Sequence, residues 1–213
     1  MVRPRFAKLA PEQQQRILQA AIDEFAAHGF HDASLNQVIE TAGISKGSLY
    51  YYFDGKDDLY VYAIRTGLEQ LFARLGPFPL PDQGNPDAFW ATLEHYYLQL
   101  MSALVDSPQL AALIRGWIAA STNPALRQAQ EEVEQVLGPW LQQTLAMGQQ
   151  MGAIRTDLPP ALLIAVVSGM GQAMDTWLLV SEPDREDLPR LIGALIEMIR
   201  GAVRPVVTPW RAP

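Results

Sequence analysis

The sequence predicts an all-α fold of about nine helices, on three observations. Apolar residues recur at spacings of three and four along most of the chain, the period of a helix with one buried face. No run of alternating apolar and polar residues bounded by turns, the mark of a strand, occurs in it. The punctuation is also that of helices, with capping residues and proline at starts and glycine at ends.

The elements follow in order. From Pro11 to about His28, residues Ile17, Ala20, Ala21, Phe25 and Ala26 share one helical face, and Gly29 ends the run. Ser34 caps a short second helix, Leu35 to about Ala42, closed by Gly43. Ser45 caps a third, Lys46 to about Tyr52, and a fourth runs from Lys56 to about Leu75, where Gly76-Pro77 breaks it. Gly76 to Pro86 (GPFPLPDQGNP), with four prolines and two glycines, is a linker. Beyond it, a small capping residue followed by proline opens helices at Asn85-Pro86, Ser107-Pro108 and Asn123-Pro124. Asp157 with Pro159 and Asp187 with Pro189 are looser versions. The chain divides into a small N-terminal domain, 1–56, and a larger helical domain, 57–213.

Composition narrows the function. Of 213 residues, 49% are hydrophobic and 18% charged, which suits a packed globular protein and not a disordered one. The absence of cysteine excludes disulfides, thiolate metal sites and cysteine nucleophiles, and fits a cytoplasmic location. No apolar run follows Arg3, Arg5 and Lys8, so no signal peptide is expected. Leu158–Met174 is the best membrane candidate, but two prolines, Ser168 and Gln172 favour a buried helix instead. The net charge of −7 is uneven: residues 1–56 hold six bases and six acids, so the acidic excess lies in 57–213. A small basic face within the first domain is compatible with that balance.

That face is expected in Ser34–Leu59, SLNQVIETAGISKGSLYYYFDGKDDL. Two short helices joined through Ala42-Gly43-Ile44 have the dimensions of a helix-turn-helix, and Val38, Ile44 and Leu49 are spaced to pack them together. On the outward side of the third helix, Lys46 and Ser48 can donate to bases or phosphate, and Gly47 permits close approach. Tyr50 and Tyr51 offer a hydroxyl and a ring. Ser34 can direct its hydroxyl and a helix N-terminus at a phosphate, and Lys56 can hold the strand from the far side. Arg3, Arg5 and Lys8 form either an arm that reaches DNA or a solvated tail.

Ser34–Leu59 resembles the DNA-binding signature of the tetracycline-repressor (TetR) family, through AGISKGSLYYYF followed by Lys56 and Leu59. The first helix resembles that family's too, with its Ala-Ala-x-x-x-Phe-Ala-x-x-Gly-Phe ending at Gly29-Phe30. The resemblance covers about residues 12–60, departing at Ile39, where alanine is more frequent. It implies base or phosphate contacts from Lys46, Gly47, Ser48, Tyr50 and Tyr51, and phosphate contacts from Ser34, Tyr52 and Lys56. Tyr52 reads equally as core. It further implies a homodimeric transcriptional repressor, released from a palindromic operator by a small molecule.

The C-terminal domain reads as a helical core rich in large side chains. An apolar ligand pocket, which the resemblance places among the fifth to eighth helices, would draw on Trp90, Tyr97, Met101, Trp117, Met147, Met170, Met174 and Trp177. Gln172 and Asp175 are candidate polar contacts, and a hydrophobic ligand is expected. The last helix carries a stripe of Leu188, Leu191, Ile192, Leu195, Ile196 and Ile199, and the helix before it has small residues, Gly169 and Ala173 among them. From pattern alone these pack on their own chain or on a second copy; the resemblance implies a dimer interface.

Two other readings compete: the same fold acting as an activator or answering to a protein partner, and a helical enzyme or binding protein. Catalysis, metal and cofactor find no support. The three histidines are His28, His31 and His95, and the first two straddle Gly29, where His28 reads as a cap on the helix carbonyls. Gly169-Met170-Gly171 lies inside an apolar helix without the preceding strand a nucleotide loop needs.

Overall fold

A computed structural model describes residues 5–76, 85–119 and 124–206. Among them are nine α-helices and a 3-10 turn at Phe6–Lys8, with no strand. The helices are α1 (Pro11–Asp32), α2 (Leu35–Ala42), α3 (Lys46–Tyr52), α4 (Lys56–Leu75), α5 (Pro86–Val105), α6 (Pro108–Ala119), α7 (Pro124–Gln150), α8 (Pro160–Ser181) and α9 (Leu188–Val203). Most of the linker expected over Gly76–Pro86 lies outside the described residues, as does the cap Asn123.

The chain forms two compact units: residues 1–76 with 104–131, and residues 77–103 with 132–213. In the first, α1 is the spine. Ile17, Ala20, Ala21 and Phe25 are buried against α2, α4 and α6. The regular helix breaks at Gly29 as expected, where φ of 69° and ψ of 178° are non-helical, and the short helical turn beyond the kink, to Asp32, buries Phe30. α2 starts where Ser34 Oγ accepts from the Gln37 amide, and it stops at Gly43, whose φ of 62° is the left-handed conformation glycine adopts without strain. α3 starts on Ser45 Oγ, which accepts from the Ser48 amide at 3.0 Å. Val38, Ala42, Leu49, Phe53, Leu59 and Tyr60 close this core.

α6 lies along α1 and α4 in the same unit. The Tyr60 hydroxyl, on α4, donates to the Leu113 carbonyl of α6 at 2.7 Å, and Trp117 Nε1 donates to the Leu126 carbonyl at 3.2 Å. Burial pushes the Tyr60 phenol above its usual range, which keeps it a donor.

The second unit is built from the larger parts of α5 and α7 with α8 and α9. Gly148 allows α7 to meet its neighbours, since a β-carbon there would lie 2.5 Å from Ile154 Cδ1 and 2.9 Å from Phe89 Cζ. Arg155 ties the turn after α7 to α9 through its amide, which donates to the Val203 carbonyl at 2.9 Å, and its guanidinium is paired with Asp157. α8 departs from expectation. It is long and apolar enough to cross a membrane, yet only 22% of its most apolar stretch is buried, so the buried helix expected here is largely uncovered in the single chain.

Candidate nucleic-acid interface and the sites behind it

α3 presents a short, outward, capped surface. Lys46 and Gly47 are exposed, Tyr50 and Tyr51 keep 43% and 48% of their surface, and Ser48 is half-buried with its hydroxyl 2.8 Å from that of Ser45. Leu49, on the opposite side, is fully buried and fixes which face points out. Tyr52 is half-buried and stands edge-on to Phe6, so its ring belongs to the core edge.

Ser34 and Lys56 already have work in the fold. The Ser34 hydroxyl caps α2 and its amide donates to Glu24 Oε1 at 2.7 Å, which sets a carboxylate at the helix start. Lys56 Nζ donates to the His31 carbonyl at 2.6 Å and lies 5.4 Å from the Phe30 ring, fastening the end of α1 to the start of α4. His28 does not cap the helix carbonyls as expected; its Nε2 lies 3.8 Å from Glu24 Oε2, one turn back on α1.

The pocket candidates separate. Trp117 belongs to the first unit; the other seven belong to the second. Trp90, Met101, Met174 and Trp117 are buried, Tyr97, Met147 and Met170 are half-buried, and Trp177 is half exposed. Tyr97 donates a short hydrogen bond to Asp175 Oδ1. Burial drives both groups upward, the Asp175 carboxyl against the opposing pull of Tyr97. Thr144 on α7, which sequence reasoning did not single out, is buried with its hydroxyl lacking a partner among the described residues. A lone threonine within a helix, here after Gln142 and Gln143, carries no signal that its hydroxyl will end up orphaned. Gln172 instead lines an open groove of about 570 Å³ with Gly169, Ala173, Thr176, Trp177, Val180 and Ser181.

The two expected interface helices differ in what they leave open. On α9, Leu188, Ile192, Ile196 and Ile199 are buried in their own chain, and Leu191 and Leu195 are half-buried. On α8, Gly169 and Ala173 are exposed, in a stripe with Leu162, Val166, Trp177 and Val180 at spacings of three and four. Met198 of α9 is also exposed.

The matching family model is described as "Bacterial regulatory proteins, tetR family" and covers residues 17–63. The HTH-type transcriptional regulator RutR of Escherichia coli K12 is 42% identical over 101 residues, 47% of this chain and 45% of RutR. The chain thus spans about half the length of that relative. The uncharacterized HTH-type transcriptional regulator YdgC of Bacillus subtilis is 38% identical over 178 residues, 83% of this chain and 87% of YdgC. Among solved structures, the transcriptional regulator FadR from Bacillus subtilis, in complex with stearoyl-CoA, shares the fold at a TM-score of 0.71 and 21% identity. That likeness covers 89% of this chain and 99% of FadR.

Proposed function

The chain belongs to the tetR family of bacterial regulatory proteins, and from that premise we propose that it is a homodimeric transcriptional repressor, released from a palindromic operator by a small hydrophobic ligand. The observation that carries the DNA-binding part is the exposed α3 surface of Lys46, Gly47, Tyr50 and Tyr51 on a capped, core-anchored helix. Such a helix enters the major groove with its first residues at base edges. Ser34, Tyr52 and Lys56 border it as phosphate contacts, using donor capacity that their internal bonds leave over. In this reading residues 1–56 are the DNA-binding domain, residues 57–213 bind ligand and dimerise, and the protein is cytoplasmic and without catalytic activity.

The ligand reading rests on the buried Trp90, Met101 and Met174 of the second unit, with the Tyr97–Asp175 pair and the orphaned Thr144 hydroxyl as polar groups in a mostly apolar setting. FadR, seen with stearoyl-CoA, has the same fold, which supports a hydrophobic ligand here. The signal runs along the chain. α5 and α7 each span both units, and they bracket α6, which lies on α1 and α4. A ligand that shifts α5 or α7 moves α6 and changes how α1 and α4 hold the recognition helix. It must favour the DNA-incompetent arrangement, because only a difference in affinity between states moves the equilibrium. A coupling of about 1–3 kcal/mol weakens operator binding roughly 5- to 150-fold.

Selection of bound duplexes from random DNA by the purified chain tests the core of this. A recovered palindrome whose half-sites lie about one helical turn apart supports the reading; recovery of no sequence above background refutes it.

A further inference from the structure

We propose that Arg5 is a second DNA-contacting cation of the head, held against Tyr51 by the plug Phe6 and directed at the phosphate backbone beside the recognition helix. This rests on the DNA-binding reading above and adds a residue to it. The sequence left this segment open between an arm and a solvated tail; Arg3 lies outside the described residues, but Arg5 to Leu9 do not.

A solvated tail does not bury an aromatic ring. Phe6 is 1% exposed, with its ring centroid 4.9 Å from that of Phe53, 5.3 Å from Tyr62 and 5.8 Å from Tyr52. The turn around it is fixed as well. The Lys8 amide donates to the Arg5 carbonyl, the Leu9 amide to the Phe6 carbonyl, and Gln14 Nε2 on α1 donates to the Leu9 carbonyl at 2.8 Å. Arg5, one residue before the plug, therefore has a defined position. Its guanidinium carbon lies 4.5 Å from the ring centroid of Tyr51, an exposed residue of α3.

A guanidinium over a ring face uses one side for that contact and keeps N–H donors with which it can grip a phosphate. Position argues for phosphate over bases. Recognition helices read base edges with their first residues, here Lys46 to Ser48, whereas Tyr51 lies a turn further on, toward the groove wall. The pair is thus a pre-ordered clamp whose contribution is charge at a set place, independent of DNA sequence.

The test compares wild type, Arg5→Ala, Tyr51→Ala, the double variant and Lys46→Ala, all on exposed residues. Each is titrated across salt concentrations on the operator selected by wild type and on a random-sequence duplex. One lost phosphate contact lowers the slope of log K against log salt by about 0.9 per head, or roughly eight-fold in affinity at about 0.1 M salt. Arg5→Ala should show that loss on both duplexes, and the double variant should lose less than the two single losses combined. An unchanged slope for Arg5→Ala, with Lys46→Ala still weakened, overturns the clamp and leaves the DNA-binding reading standing. A loss confined to the operator overturns the phosphate assignment, and strictly additive losses overturn the stacked pair. Failure to select any operator overturns the DNA-binding reading and this inference with it.

Discussion

Asp175 is a carboxylate enclosed in an apolar unit, with the Tyr97 hydroxyl as its partner. Burial raises its pKa above the ordinary value, outweighing the hydrogen bond that acts the other way. Between the unfolded value of about 3.9 and the raised folded one, the folded chain still holds a proton that the unfolded chain has released. Stability therefore falls as pH rises through that window. Asp175→Asn keeps an acceptor for Tyr97 but has no proton to lose. Relative to that variant, wild type should lose stability progressively as pH climbs from about 4. Chemical denaturation in pH steps measures this, and parallel curves would show that the carboxylate is solvated. The residue was legible as a polar candidate, but its pairing with Tyr97, 78 positions away, was not. Phe6 was missed for a related reason: one aromatic before the first helix has no periodic partners to mark it as core.

Among the elements, α3 is the most legible, because its start depends on neighbours in sequence. Ser45 satisfies an amide that the helix itself leaves unpaired, and its hydroxyl also meets that of Ser48. Ser45→Ala should destabilise the protein by about 1 kcal/mol, the usual cost of a lost cap. For a chain of this size that lowers the melting temperature by roughly 2–4 °C. A melting curve beside an operator titration checks both stability and binding, and an unchanged melt would show that α3 is held by its core side alone. α9 was legible in a different sense. The period of its apolar residues announces a buried face but does not say what buries it. In this chain its own unit does so for Leu188, Ile192, Ile196 and Ile199, while the stripe of α8 stays open.

For the molecule as a whole, that open stripe has a consequence. Leu162, Val166, Trp177 and Val180 are exposed around Gly169 and Ala173 on a helix apolar enough for a membrane. Contiguous apolar surface of this kind marks an association site, and the proposed homodimer covers it. Ala173 is exposed, so Ala173→Glu should leave the single chain folded while placing two like charges in the shared interface. Sedimentation should then show monomers, and operator affinity should fall because one head has lost its neighbour. A dimer that survives the substitution would move the interface off this face of α8.

What the sequence by itself determined is local: helix positions, the caps at Ser34, Ser45 and Asn85, the turn at Gly43, and the outward face of α3, each set by residues within a few positions of one another, whereas α8 starts on Pro159 rather than Asp157 and Asp187 makes no side-chain cap bond. Periodicity and capping act at that range, which is why those readings hold. The tertiary structure alone decided the pairings between distant segments: Phe6 against Phe53 and Tyr62, Lys56 on the His31 carbonyl, α6 laid along α1 and α4, and Tyr97 on Asp175. It also decided which apolar faces stay uncovered. Both depend on how helices pack, and a helical pattern specifies that a face must be buried without specifying its partner.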